Sequence, residues 1–250
     1  MRSFLSFEKP PVCVMIAQKD PEKVLETEKK ALLAGAEAFG IQAEKLRKKD
    51  QNASVYRSFV EEAGGAPLYA TFYRRGDDAP KTEEEAAKGI LELAESGMDL
   101  IDVMGDLFDP QPGELTRERG AVKKQKDLIN ALHEMGKEVL ISTHTFHFLP
   151  GKEVLEIAKA QESRGADIVK IVTGAETPEE EVENMKTSLL LKETLSVPFL
   201  FLSAGHSALL RRIGPNLGSC MYLGVYEQSE WSTKAQPLLS DLVRIRELMG

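Results

Sequence analysis

The sequence predicts a (β/α)8 barrel formed as a single domain over residues 1–250. Three observations carry that expectation. Eight short runs of β-branched or apolar residues recur along the chain, longer segments with helical spacing and strong caps lie between them, and no linker, internal repeat or low-complexity tract breaks the alternation. Strands that alternate with helices in this way build a parallel sheet, and eight units in a chain of this length suit a closed barrel better than an open doubly wound sheet.

The first strand is "PVCVMIA" (11–17), and Asp20 followed by Pro21 opens the helix after it, with proline at the first helical position. "AFGIQAE" (38–44) and "PLYATFY" (67–73) are the second and third strands, and Thr82 with Glu85 reads as a capping box for the next helix. "LIDVMGD" (100–106), "EVLISTHTF" (138–146) and "DIVKIVTG" (167–174) follow. Thr177-Pro178-Glu179-Glu180 then combines a capping box with an N-terminal proline, and the acidic "TPEEEVE" faces solvent in a helix's first turns. "PFLFLSAG" (198–205) and "CMYLGVY" (220–226) complete the set, and "HSALLRRIGPNLGS" between them leaves room for only a short helix.

Composition narrows the function. With 42% hydrophobic residues the chain builds a sizeable core, and a formal net charge of −8 without a basic patch argues against nucleic acid or an anionic membrane as partner. No apolar run approaches the ~18 residues of a membrane span, and "MRSFLSFEKPP" lacks the features of a signal peptide, so the expected compartment is the cytoplasm. Cys13 and Cys220 read as buried small hydrophobes in a reducing setting. No dinucleotide fingerprint follows the first strand, and Gly205, Gly218 and Gly224 form no phosphate-cradling loop. An anionic substrate must therefore be drawn in by a few local arginines.

In a barrel, alternate strand residues point inward and chemistry collects at the C-terminal strand ends, so polar residues on the inward parity are informative. Ile168, Lys170 and Val172 share one parity, and so do Leu140, Ser142, His144 and Phe146. Lys170 and His144 then lie on adjacent strands, about 4.8 Å apart across the ladder. An amine in an apolar barrel loses hydration, its pKa falls, and the free base adds to a ketone to give an imine. The imine acidifies the neighbouring carbon, from which a histidine removes the proton that it later returns to a departing hydroxyl. His147, three residues from His144, is expected in a loop and not on a shared metal; His206 and Tyr73 are expected at the barrel mouth.

"VLISTHTFHFLP" followed by "ADIVKIVTG" resembles the type I 3-dehydroquinate dehydratases, and the likeness runs from the first strand to the C-terminal helix. The resemblance implies Lys170 as the Schiff-base lysine and His144 as the acid–base histidine. It also implies that Arg211, with Ser232 and Gln236 from "WSTKAQP", holds and closes over the substrate carboxylate, with no metal or organic cofactor and with a homodimer as the assembly. The family's ring-binding positions differ: on the second strand they are Gly40, Gln42 and Glu44, and on the third Tyr73 replaces an arginine, with Arg74 displaced by one. Gln42, Tyr73, Arg74 and Asp106 are the residues expected to restore contacts. On the fourth strand Met104 stands where the family has the glutamate that orients the histidine, which predicts a less basic, less well oriented His144, with Asp106 as the one carboxylate able to take over.

The function expected is elimination of water from 3-dehydroquinate, a small keto acid, to give 3-dehydroshikimate in the shikimate or quinate pathway. Two other readings stay open: a Schiff-base lyase or aldolase acting on a related keto acid, and a ligand-sensing domain that has lost its chemistry.

Overall fold

A computed structural model describes residues 2–75, 80–205 and 209–249, so His206 lies outside the described residues. The strands are β1 (Val12–Ile16), β2 (Ala38–Gln42), β3 (Leu68–Thr71), β4 (Leu100–Met104), β5 (Glu138–His144), β6 (Ile168–Ala175), β7 (Phe199–Gly205) and β8 (Tyr222–Gly224). The helices are α1 (Pro21–Leu33), α2 (Ala53–Glu62), α3 (Glu83–Glu95), α4 (Arg119–Glu134), α5 (Gly151–Glu162), α6 (Pro178–Thr194), the short α7 (Leu209–Ile213) and α8 (Leu239–Met249). The strands form one parallel sheet in the order β7-β6-β5-β4-β3-β2-β1-β8. At the seam between the two end strands, the Cys220 N–H donates to the Phe199 carbonyl at 2.8 Å and the Phe201 N–H to Ser219 Oγ at 3.3 Å. The (β/α)8 barrel read from the sequence is the fold found.

The caps that mark the helix starts work as their chemistry requires. Asp20 accepts from the Glu22 N–H ahead of Pro21, and Thr82 and Glu85 form a reciprocal capping box. At Thr177 only half of the expected box forms: its hydroxyl accepts from the Glu180 N–H, but the Glu180 carboxylate takes the Glu176 N–H at 2.7 Å instead of reaching back to the cap itself.

Alternation sorts the strand residues into two cores. Cys13, Met15, Ala38, Tyr69, Leu100, Leu140, Ile168, Val172, Leu200, Leu202 and Leu223 pack inside the barrel, closed at its N-terminal end by Phe4. Val14, Phe39, Ile41, Ala70, Ile101, Val103, Ile141, Val169, Ile171 and Phe201 face the helices. Strands buried on both faces read as near-continuous apolar runs, which is why all eight were visible in the sequence. Gly40 belongs to the inner set, and a Cβ there would stand 2.1 Å from Met15 Sδ. The Met15 thioether fills the space that a side chain at position 40 would occupy, so this part of the wall is apolar.

Several strands stop earlier than the sequence suggested, because the chain turns into polar βα loops. β2 ends at Gln42, and Glu44 sits in a single 3-10 turn (Ala43–Lys45), buried, accepting from Thr71 Oγ1 at 2.8 Å and the Tyr73 N–H at 3.5 Å. Burial pushes the Glu44 carboxyl up, against the pull of those bonds. β3 ends at Thr71, so strand parity does not place Arg74 on an outer face.

Candidate active site

The C-terminal strand ends enclose a cavity of about 250 Å³, a volume for a small molecule and not for a polymer. Lys170 and Arg211 reach it from β6 and α7, His144 from the end of β5, and Gln42, Tyr73, Arg74, Glu114 and Gln236 from the loops and strand ends around them. Met15, Met104, Val172, Leu202 and Leu223 supply its apolar wall.

Lys170 is 4% exposed, and its surroundings differ from the apolar setting expected. Its Nζ donates to Tyr69 Oη at 2.8 Å, to Tyr73 Oη at 3.1 Å and to Asp102 Oδ2 at 3.3 Å. Tyr73 Oη also donates to Asp102 Oδ2 at 2.8 Å, Tyr69 Oη donates to the same oxygen, and Ser142 Oγ donates to Asp102 Oδ1 at 2.5 Å. Asp102 is thus a buried carboxylate satisfied by three hydroxyls and an amine. Burial first, and the Asp102 charge second, push both phenols well above the ordinary tyrosine range, so they remain donors.

His144 pairs with Val172 across the ladder and Ser142 with Lys170, so the histidine stands one layer nearer the mouth than the lysine. Its Nδ1 lies 2.9 Å from Glu114 Oε2, and its backbone N–H donates to the same oxygen at 3.0 Å. A carboxylate only accepts, so Nδ1 carries the hydrogen and Nε2 keeps its lone pair. Burial pushes His144 down, helped by the Lys170 charge and opposed by Glu114. Burial alone would push Glu114 up, but its bonds with His144 and the charges of His144 and Arg75 hold it below the ordinary carboxylate value. Tyr73 meets the imidazole edge-on at 5.5 Å, and Phe146 stacks on it at 5.8 Å.

The orienting carboxylate has therefore moved and not disappeared, and Asp106 is not its replacement. Asp106 is taken by Arg74 Nη1 at 2.9 Å and by the Gln111 N–H at 2.8 Å. Glu114 lies in the β4–α4 loop at φ 47°, a left-handed conformation that non-glycine residues seldom adopt. Its carbonyl accepts from Thr143 Oγ1 at 3.0 Å, and Arg164 ties the loop down by donating to the Gly105 and Thr116 carbonyls at 2.7 and 2.5 Å. A Cβ on Gly105 would stand 2.7 Å from the Glu114 carbonyl oxygen, so only glycine permits this approach. That glycine, directly after the fourth strand, was the one available sequence signal.

The other expected residues divide. Arg211 lines the cavity 4% exposed, donates Nε to the Ser203 carbonyl at 2.6 Å, and has no carboxylate against it among the described residues; burial pushes it down to about 10. Gln42 and Gln236 line the cavity. Ser232 does not: its Oγ bonds Gln228 Oε1 at 2.7 Å and the Ser229 carbonyl at 2.9 Å beside a smaller adjoining recess, and Thr233 and Trp231 face the main cavity in its stead. Arg74 lines the cavity, yet its guanidinium is spent on Glu83, at 2.7 and 3.0 Å, and on Asp106. His147 is an exposed loop residue bonded to the Thr145 carbonyl. Among the described residues no cluster of three or more ligating side chains suits a metal, and no helix is long and apolar enough to cross a membrane.

These contacts give Arg74 a fastening task. Arg74→Ala is expected to lower the thermal midpoint, since it leaves the buried Asp106 carboxylate without its cation, a loss on the order of 3 kcal/mol, whereas KM should change little. A large KM effect with an unchanged melt would reverse that assignment.

The family model for type I 3-dehydroquinase matches residues 12–250. The 3-dehydroquinate dehydratase of Klebsiella pneumoniae subsp. pneumoniae is 24% identical over 247 residues, covering 95% of this chain and 91% of that one. The enzyme of the same name from Neisseria meningitidis serogroup C is 30% identical over 163 residues, 63% of this chain and 59% of that one. Among solved structures, 3-dehydroquinate dehydratase from Geobacillus kaustophilus superposes with a TM-score of 0.84 at 20% identity, covering 100% of this chain and 95% of that one. The type I 3-dehydroquinate dehydratase from Clostridium difficile, with covalent modified comenic acid, superposes with a TM-score of 0.82 at 19% identity, covering 96% and 92%.

Proposed function

The chain belongs to the type I 3-dehydroquinase family, and from that premise we propose that it is a carbon–oxygen lyase that removes water from 3-dehydroquinate to give 3-dehydroshikimate. The observation that carries this reading is the meeting, in one small cavity, of a buried amine, an imidazole whose Nε2 keeps its lone pair and a buried guanidinium with no carboxylate against it among the described residues.

In this reading the substrate carboxylate supplies an anion to Arg211, in the fork geometry that suits a guanidinium. The substrate ketone then faces Lys170, whose amine forms the imine. His144 Nε2 takes the proton from the carbon beside the imine and returns one to the departing hydroxyl, while the Nδ1–H stays on Glu114 and steadies the imidazolium. Gln236, Thr233 and Trp231 line the cavity from the segment between β8 and α8, where they exclude water from the imine. No resident metal or organic cofactor enters these steps. The finer expectations of a cytoplasmic homodimer stay proposals, the second checked by light scattering in solution.

The test is incubation with 3-dehydroquinate, following the ultraviolet absorbance of the enone product, with borohydride trapping and peptide mass mapping on the same sample. Turnover with an adduct on the Lys170 peptide supports the reading, and an adduct on another lysine, or none, overturns it. Arg211→Ala should raise KM well over tenfold, because loss of a buried charge-assisted pair costs about 2–5 kcal/mol. Arg212→Ala should do much less, since Arg212 does not line the cavity.

A further inference from the structure

Imine formation moves two protons from the amine nitrogen to the ketone oxygen, and His144 is poorly placed to carry them. Its one ring proton, on Nδ1, is committed to Glu114, its Nε2 has no hydrogen to give the ketone oxygen, and the residue pairs across the ladder one layer above Lys170. Tyr73 is better placed. Its hydroxyl lies 3.1 Å from Lys170 Nζ and 2.8 Å from Asp102 Oδ2, and its side chain lines the cavity where the ketone must approach. In the tetrahedral adduct the oxygen is one carbon away from Nζ, within reach of a hydroxyl that already touches Nζ.

We propose that Tyr73 is a catalytic residue, the proton donor to the ketone-derived oxygen, and that Asp102 recharges it with protons drawn from Lys170. The proposal deepens the Schiff-base reading and rests on it. In the first half, the Lys170 ammonium gives a proton to Asp102 and its lone pair attacks the carbonyl carbon. The C=O π pair moves to oxygen, which takes the Tyr73 proton, and the protonated Asp102 restores the phenol. In the second half, the adduct nitrogen gives its next proton to Asp102 and its lone pair forms the C=N bond. The C–O bond breaks, and the leaving hydroxyl takes the Tyr73 proton and departs as water. Asp102 again restores the phenol. The sum is ammonium plus ketone giving iminium plus water, with Asp102 and Tyr73 regenerated.

The environment suits that duty. Burial and the Asp102 charge keep the Tyr73 phenol protonated before each transfer. Tyr69 touches the same amine and the same carboxylate, but it is fully buried and does not line the cavity, so it orders Asp102 without meeting the ketone. The two phenols thus share the amine and the carboxylate and are separated by access to substrate. His144 is left for the later elimination.

Rapid mixing with 3-dehydroquinate and borohydride quenching at successive times measures imine formation on the Lys170 peptide. Tyr73→Phe is expected to slow adduct accumulation by about 10²-fold or more, within the range for general acid catalysis, and Tyr69→Phe by less than tenfold. Asp102→Asn should slow it as Tyr73→Phe does, and the double variant should be no slower than either alone, because one relay is broken once. Adduct formation in Tyr73→Phe at the wild-type rate, equal slowing by the two phenylalanine variants, or multiplicative slowing in the double variant overturns the assignment. No adduct in the wild-type protein is a different result, since it removes the Schiff base itself.

Discussion

Lys170→Ala is expected to abolish the borohydride-stable adduct and to reduce elimination by about 10⁴-fold or more, the scale on which loss of a covalent nucleophile is felt. Among the described residues the amine has no substitute nearby: Arg74, Arg75 and Arg211 are the other cations lining the cavity, and a guanidinium does not deprotonate to form an imine. The variant should still fold. Asp102 loses its cation but keeps hydroxyl donors from Tyr69, Tyr73 and Ser142, which limits the penalty of an unpaired buried charge. Lys170→Met retains more of the side-chain volume and should melt higher than Lys170→Ala while being equally inactive. Circular dichroism and thermal melts separate loss of chemistry from loss of structure. Residual turnover near the wild-type rate in a folded Lys170→Met protein would show that the reaction does not pass through this amine.

That the lysine in "ADIVKIVTG" faces the barrel interior was legible because strand parity is a strong signal inside a parallel barrel: one polar residue on the inward set stands out. The same parity placed His144 on the neighbouring strand. What parity could not show is what approaches from outside the strand. Tyr69 looked like an ordinary strand aromatic, and its partners Asp102 and Lys170 are 33 and 101 residues away. Glu114 sits in "FDPQPGELTRE", a loop with no period to read, and reaches His144 only because Gly105 lets that loop press against β5. Ser232 was placed by motif match, yet the segment after β8 turns its hydroxyl onto Gln228 and Ser229. Long-range hydrogen bonds and loop backbone conformation leave no periodic trace in a sequence.

Glu114→Ala should therefore lower kcat by about 10²–10³-fold, within the range of general acid–base catalysis. The neutral imidazole would lose the partner that fixes its tautomer and ring angle, and the imidazolium formed during proton abstraction would lose its countercharge. The pH profile gives the discriminating sign. Burial and the Lys170 charge already hold His144 below its ordinary value, and Glu114 is the first influence that raises it. Removing Glu114 must move the His144 limb of the kcat profile to lower pH even as the plateau falls. Glu114→Gln keeps an acceptor for Nδ1–H without the charge, so it should shift the limb in the same direction but retain more activity. Met104→Glu returns a carboxylate to the β4 position on the cavity wall, and it should change kcat little in the wild-type protein while restoring part of the loss in Glu114→Ala. Met104→Glu raising kcat by itself, with Glu114→Ala indistinguishable from wild type, would mean that His144 lacks an effective orienting group and that the Glu114 contact is structural alone.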